Sequence, residues 1–181
     1  MKFKPIVRLG DKRIYRVAEK VNKIPSSELD ELIKQMFTTM QALNGIGIAA
    51  PQIGVNQRVI IIGFESSPRY PNEAAVPNTV LINPSFEPLS QEKVLGWEGC
   101  LSIPGMRGVV PRYKKIKYRG FDSQGNLIQR EAENLHARIV QHECDHIDGK
   151  LYPCHIEDWR HFGFEEEVWQ DVIEKRIPNF E

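Results

Sequence analysis

The residues from Gln141 to Gly149 contain a His-Glu-x-x-His pattern, formed by His142, Glu143 and His146. Residues four apart lie on the same face of an α-helix, so both imidazoles could bind one metal ion. Glu143 would lie at the edge of that face, where its carboxylate could reach a water on the metal without ligating the metal itself. The spacing therefore indicates metal-assisted hydrolysis, if the segment is helical and the chain supplies a third ligand.

The residues around this pattern favour a helix. Asn134 is a suitable N-cap, and Gly149 is placed to end the helix. A partial apolar face is formed by Leu135, Ile139, Val140 and Ile147. The alternative is a surface helix with two solvated histidines, because the pattern also arises by chance.

Length and composition favour a single catalytic domain over residues 1–181. Lys plus Arg equal Asp plus Glu at 24 each, which argues against direct nucleic-acid or membrane-surface binding. No apolar run approaches the roughly 20 residues of a membrane helix. Residues 1–5 lack the apolar core of a signal peptide. We therefore expect a cytoplasmic protein.

Hydrophobic periodicity predicts the elements that position the metal pattern. An amphipathic helix begins at Ser26-Ser27 and ends at Asn44-Gly45. Strands are predicted at 58–62 and 79–82, the second ending at Asn83-Pro84, and a hairpin at 114–132. Residues 65–78 are predicted to form an exposed loop, and residues 159–173 a last helical segment.

This order of elements favours an α+β fold. We expect antiparallel or mixed β-sheets packed around a central metal-binding helix, with an N-terminal amphipathic helix.

The run from Gly45 to Gly54 is rich in small residues but is no phosphate loop, because it lacks Gly-Lys-Ser/Thr and follows a helix. Its glycines would let the backbone approach a neighbour or a ligand closely. Gln52 is the side chain in this run that can make directed hydrogen bonds. The alternative is a tight turn that enters a strand.

Three positions compete for the role of third metal ligand. A metzincin pattern would need His or Asp where Tyr152 stands, so that alternative fails. The acids at 165–167 lie at the spacing of the third ligand in gluzincin proteases, although consecutive acids more often form a solvated helix face. Cys100 would supply a thiolate, a stronger ligand for zinc or iron(II). Of the other cysteines, Cys144 is interpreted as a buried apolar residue and Cys154 is unassigned. The odd number of cysteines argues against a disulfide framework, and the missing Cys-x-x-Cys pair argues against a zinc-ribbon or thioredoxin-type site.

Three stretches together resemble the motifs of the peptide deformylase family, in the family's order. They are Gly45-x-Gly47-x-Ala49-Ala50-x-Gln52, Glu98-Gly99-Cys100-Leu101-Ser102 and Gln141-His142-Glu143-x-Asp145-His146. The resemblance extends from about Val7 to Tyr152. Residues after about 153 do not resemble the long C-terminal helix of some bacterial members, so nothing is transferred to that segment.

The resemblance implies a metallo-amidohydrolase that removes the N-formyl group from the initiator formyl-methionine of newly made polypeptides and releases formate. It implies Cys100, His142 and His146 as metal ligands and Glu143 as the acid–base residue. The amide of Gln52 and the backbone N–H of Leu101 would be the oxyanion donors.

The substrate would bind beside these residues. The loop at Gly45, Ile46 and Gly47 is expected to pair with the substrate backbone, and Ile46 and Ile139 to form the methionine pocket. Arg107 would face the substrate. A pair between Glu98 and Arg112 would hold the cysteine loop.

The resemblance also implies one divalent metal ion, Fe2+ physiologically, with Zn2+, Ni2+ or Co2+ as substitutes. Iron beside a thiolate is vulnerable to oxygen. The expected partner is an N-formylmethionyl peptide, with transient ribosome contact. Two rival hypotheses are a metallopeptidase with a glutamate as third ligand and a non-catalytic, metal-stabilised binding module.

Overall fold

The computed structural model describes residues 4–66 and 73–179. The three α-helices are α1 (Ser27–Ala42), α2 (Asn134–Ile147) and α3 (Glu165–Glu174). The strands are β1 (Gly47–Ala49), β2 (Val59–Phe64), β3 (Val76–Pro88), β4 (Lys93–Cys100), β5 (Ile103–Tyr113), β6 (Lys115–Phe121), β7 (Leu127–Glu133) and β8 (Phe162–Phe164). Short 3-10 turns occur at Lys12–Tyr15, Ala50–Ile53, Tyr152–His155 and Trp159–His161.

The strands form two antiparallel sheets. One has the order β1-β2-β3-β6-β7, and the other has the order β4-β5-β8. Helix α2 contacts strands of both sheets. The predicted α+β class with a central helix is therefore confirmed, as is the hairpin, which is β6 and β7.

Strand β2 explains the unbroken apolar run in this part of the sequence. Successive strand residues point to opposite faces. Ile60 and Ile62 belong to the buried cluster that includes α2, whereas Val59 and Ile61 belong to the cluster that includes α1. Because a helix covers each face, every residue of β2 is buried.

Helix α1 has the boundaries that the sequence predicts. The Ser26 side chain accepts a hydrogen bond from the backbone N–H of Leu29, and Asn44 beyond the C-terminus has a left-handed φ of 52°. In the described part of the chain, no helix is both long enough and apolar enough to span a membrane.

Some predicted boundaries are wrong. Strand β3 continues through Asn83, where the register shifts and φ is 53°. The Asn83 side chain bonds both the N–H and the C=O of Val21, which ties the irregular strand to the N-terminal segment. Residues 76–78 of the predicted loop belong to β3, whereas residues 67–72 lie outside the described residues.

Two further expectations need correction near the helices. Residues 162–164 form β8, so the last helix spans 165–174 and not the predicted 159–173. Asn134 is the first residue of α2 rather than its N-cap; Glu133 occupies the cap position without a side-chain hydrogen bond. Gly149 follows the helix end with a φ of 71°, as predicted.

Candidate metal centre

Helix α2 and strand β4 bring together three side chains that could hold a metal ion. The ligand atoms of Cys100, His142 and His146 all lie within 4.8 Å of one another. Cys100 Sγ is 3.2 Å from His146 Nε2. The predicted helix around the histidine pattern is confirmed, and both imidazoles lie on the face of α2 that meets the end of β4.

Cys100 is the last residue of β4. It pairs with Ile103 of β5, so Leu101 and Ser102 form a two-residue turn. The backbone N–H of Ser102 lies 3.4 Å from Cys100 Sγ. Burial opposes ionisation of the Cys100 thiol, but the neighbouring imidazoles outweigh it and lower the pKa of the thiol well below its usual value. A thiolate is the form that binds metal.

Glu98 orients one of the two imidazoles. Its Oε2 is 2.8 Å from His142 Nδ1, which leaves Nε2 for a metal. Arg112 donates to both Glu98 oxygens at 2.9 and 3.0 Å, and Arg138 donates to Oε1 at 2.8 Å. Burial alone would raise the pKa of Glu98, yet Arg112 holds it far below its ordinary value.

The same arginine links the two metal-binding elements. Arg112 Nη1 donates to Asp145 Oδ2 at 2.6 Å, and His155 Nε2 lies 2.9 Å from the same oxygen. Arg112 therefore connects Glu98 on β4 with Asp145 on α2. The suggested Glu98–Arg112 pair is present. Arg138, which the sequence interpretation missed, lies one helical turn before His142, a spacing that could have identified it.

Glu143 lies buried beside the metal-binding histidines. Burial raises the pKa of its carboxyl group to about 7. Its Oε2 has no hydrogen-bond partner among the described residues. A Cβ atom added to Gly47 would lie 2.4 Å from Glu143 Oε1, so the backbone of β1 is packed directly against the carboxylate. The close approach predicted for the glycine-rich run is therefore an approach to Glu143.

Gln52 is held in one orientation. Its Oε1 accepts a hydrogen bond from the backbone N–H of Ala49 at 2.7 Å. The Nε2 donor group is consequently turned toward the metal centre, 3.5 Å from Cys100 Sγ and 3.3 Å from Ser102 Oγ. The residue is almost fully buried, so this orientation is fixed by the surrounding packing.

A cavity of about 630 Å³ opens onto these groups. All the site residues predicted from the sequence line this cavity, except His146. The lining includes Gly45, Ile46, Gly47, Gln52, Cys100, Leu101, Arg107, Ile139, His142 and Glu143. Chemical groups for a hydrolytic reaction and an apolar wall therefore share one enclosed space.

The rival third ligands lie elsewhere. Glu165 forms an ion pair with Arg107 at 2.7 Å and is absent from the metal-binding group found among the described residues. Tyr152 packs its ring against His142 at a centroid distance of 6.1 Å. Cys144 is buried in the core, as predicted, and burial raises the pKa of its thiol.

The donor set fits a catalytic divalent ion. One thiolate and two imidazoles suit zinc or iron(II), and three protein ligands leave a coordination position for water or substrate. The contact between Glu98 and His142 Nδ1 is the carboxylate–histidine arrangement that supports metal-ligating histidines.

Comparisons with known proteins agree with this chemistry. The model of the polypeptide deformylase family matches residues 3–161. The chain is 53% identical to peptide deformylase 2 of Ralstonia nicotianae over 170 residues, which are 94% of this chain and 96% of that protein. It is also 53% identical to peptide deformylase 1 of Bordetella pertussis over 167 residues, which are 92% and 95% of the two chains.

Solved structures give the same result. The Met-Ala-Ser-bound class I type b peptide deformylase from Acinetobacter baumannii matches with a TM-score of 0.82 and 38% identity, over 86% of this chain and 99% of that one. The peptide deformylase from Ehrlichia chaffeensis matches with a TM-score of 0.79 and 30% identity, over 96% and 97%.

Proposed function

The chain belongs to the polypeptide deformylase family, and we propose how its own residues remove the N-formyl group from nascent polypeptides. It is a metal-dependent hydrolase, and the products are formate and a free N-terminal amine. The observation that carries the proposal is the convergence of Cys100, His142 and His146 beside Glu143 in one cavity. We further propose that residues 1–181 act as one catalytic domain.

The metal ligands in this proposal are Cys100, His142 and His146. A divalent ion bound there would supply Lewis-acid polarisation of the formyl carbonyl and lower the pKa of water. We propose Fe2+ as the physiological ion, with Zn2+, Ni2+ or Co2+ as substitutes. The Cys100 thiolate supports this range of metals, because thiolate and imidazole ligands suit all of them.

Glu143 is the proposed acid–base residue. Its carboxylate would take the proton of the attacking water and deliver it to the amine nitrogen as the C–N bond breaks. Burial raises the pKa of this carboxyl above its usual value, which favours acceptance of the proton from water. Oε2 has no hydrogen-bond partner within residues 4–66 and 73–179, so this oxygen is available for the proton.

Gln52 and Leu101 are the proposed oxyanion donors. Negative charge gathers on the formyl oxygen during attack, and oriented N–H groups stabilise it. The bond from Ala49 N–H to Gln52 Oε1 supports this role, since it presents the Nε2 donors toward the centre. Leu101 lines the cavity next to the ligand Cys100.

The peptide would lie along β1. This strand is at the edge of its sheet, so Gly45, Ile46 and Gly47 could pair with an extended substrate as an added strand. Ile46 and Ile139 provide apolar surface for the methionine side chain. We assign substrate contact to Arg107 as well, because it lines the same cavity.

The N-formylmethionyl peptide is the proposed partner, in the cytoplasm, with transient ribosome contact as newly made chains emerge. The decisive assay incubates the metal-loaded protein with formyl-Met-Ala-Ser and measures formate and free amine. Release of both supports the proposal. Cleavage of an internal peptide bond would favour the metallopeptidase hypothesis, and an unchanged peptide would favour a binding module.

A further inference from the structure

A partly buried ion pair connects the C-terminal segment with the wall of the cavity. Arg107 Nη2 donates to Glu165 Oε1 at 2.7 Å, and both residues line the cavity. Arg107 is only 6% exposed. Glu165 begins α3, beyond residue 161, where the match to the family model ends.

The pairing of β8 with β5 places Glu165 beside Arg107. Arg107 of β5 pairs with Gly163 of β8, and Glu165 follows two residues later. The three-residue strand therefore places the first turn of α3 beside the guanidinium group. The arrangement depends on β8, which occupies part of the region predicted to be helical.

The guanidinium is also confined by the backbone of the cysteine strand β4. A Cβ atom added to Gly99 would lie 1.5 Å from Arg107 Nη1, so the guanidinium lies against the backbone next to Cys100. Arg107 Nε is buried and has no hydrogen-bond partner among the described residues. A buried N–H group without a partner is costly, and a peptide carbonyl oxygen could satisfy it.

We propose that Glu165 is a positioning residue that holds Arg107 ready to bind the peptide backbone downstream of the formyl-methionine. The proposal rests on the proposed function of the cavity. Arginine has many rotamers, and fixing it before the substrate arrives reduces the entropy lost on binding. Removal of the carboxylate takes away the one charged partner that orients the guanidinium among the described residues, so its Nη2 end is held less firmly.

Long and short substrates should depend differently on Glu165. A peptide such as formyl-Met-Ala-Ser has downstream carbonyl groups that Arg107 could bind, whereas formyl-methionine amide has none beyond its own. Loss of Glu165 should therefore weaken binding of the longer substrate and leave the chemical step unchanged. A purely structural role would affect both substrates alike.

The test compares Glu165→Gln with the parent and with Glu167→Gln. Glu167 is an exposed acid two residues further along α3. We expect Glu165→Gln to raise KM for formyl-Met-Ala-Ser about 10-fold, with kcat unchanged. The values for formyl-methionine amide and all values for Glu167→Gln should match the parent. Glu165→Asp, which keeps the charge, should recover part of the loss.

A double variant tests whether Glu165 acts through Arg107. Arg107→Ala combined with Glu165→Gln should be no worse than Arg107→Ala alone, because the carboxylate then has nothing to position. Additive losses, equal losses on both substrates, or a Glu165→Gln protein identical to the parent would overturn the proposal.

A binding measurement separates this inference from the proposed function. Calorimetric titration with Met-Ala-Ser requires no hydrolysis. If the parent releases no formate, the proposed function fails. The positioning role is still supported if Glu165→Gln binds Met-Ala-Ser about 10-fold more weakly than both the parent and Glu167→Gln. Equal affinities, or no binding by the parent, would refute it.

Discussion

Glu98 Oε2 lies 2.8 Å from His142 Nδ1, on the side of the imidazole away from the metal-binding nitrogen. The same carboxylate accepts hydrogen bonds from Arg112 and Arg138. It therefore orients the imidazole of a proposed metal ligand and also neutralises the charge of two arginines that have little access to solvent. Removal of the Glu98 charge should therefore lower both the affinity for metal and the stability of the fold.

The substitution Glu98→Gln should impair metal binding and stability together. We expect metal affinity to fall about 10- to 100-fold, because the His142 ring loses its orienting partner. The free energy of unfolding should fall by about 3–5 kcal/mol, since buried arginines lose their counter-charge. Metal titration and urea unfolding measure the two effects, and Glu87→Gln, an exposed site on β3, is the control. A Glu98→Gln protein with the parent's metal affinity would contradict the orienting role.

Metal removal should change the reactivity of one cysteine. Cys100 lines the cavity, and the nearby imidazoles lower the pKa of its thiol despite burial. In the metal-free protein it should react with iodoacetamide faster than Cys154, whose thiol pKa is raised by burial. Bound metal should protect Cys100 at least about 10-fold, since coordination occupies the thiolate. Mass spectrometry of alkylated peptides with and without chelator follows each residue, and unprotected Cys100 in metal-loaded protein would argue against it as a ligand.

Gly47→Ala should damage catalysis more than Gly45→Ala. The new Cβ at position 47 would lie 2.4 Å from Glu143 Oε1 and would displace the carboxylate. We expect kcat to fall about 10²- to 10⁴-fold, the range for a lost acid–base group. At position 45, the nearest side-chain atoms are Leu101 Cδ1 and Met40 Cγ at 3.2 Å, which would have to move only a few tenths of an ångström, so the loss should be smaller. Steady-state kinetics on formyl-Met-Ala-Ser tests the order, and equal losses would show that loop geometry rather than Glu143 is responsible.

His136 should contribute to acid sensitivity. Burial lowers its pKa below 6.5, and its Nε2 lies 3.2 Å from Tyr118 Oη. The unfolded state therefore binds more protons than the folded state as pH falls through and below 6.5, so stability declines. Above that range the histidine is neutral in both states and has no effect on the slope.

Replacing this histidine should remove its share of the slope. Between about pH 7 and 5, the free energy of unfolding of His136→Gln should fall less steeply than that of the parent. The difference between the two slopes should be less than about 1.4 kcal/mol per pH unit, because that is the largest slope that one proton can cause. His161→Gln, on the C-terminal segment, serves as a comparison. Urea unfolding at several pH values gives the slopes, and identical slopes for parent and His136→Gln would contradict the assignment.

Helix α2 could be predicted because its chemistry is local. His142, Glu143 and His146 follow one another within a single helical turn, and the apolar residues around them repeat with helical period. The hydrophobic run of β2 is similarly direct, since four consecutive apolar residues bury themselves on both faces.

Strands β4 and β5 were not predicted, because glycines and prolines interrupt their apolar pattern. Gly96 and Gly99 lie in β4, and Gly105 and Gly108 in β5. At Gly99 the space that a side chain would fill is occupied by Arg107. The glycines thus reflect close contacts from distant residues, which periodicity does not reveal.

The remaining contacts depend on tertiary structure. Arg112 meets Asp145 only because β5 packs beside α2, and Arg107 meets Glu165 only because β8 pairs with β5. The acids at 165–167 were considered as ligands on spacing alone. Pairing of a three-residue strand, which local propensity does not predict, determines what Glu165 contacts.

Cys100 ends β4 and Leu101 begins the two-residue turn to β5, so a single peptide unit joins the residue that carries the sulfur to the neighbouring amide. A motion that withdraws the sulfur from the imidazoles must carry the neighbouring amide with it. If Cys100 is the proposed metal ligand and the Leu101 N–H the proposed oxyanion donor, partial opening of this hairpin would weaken metal retention and transition-state stabilisation together.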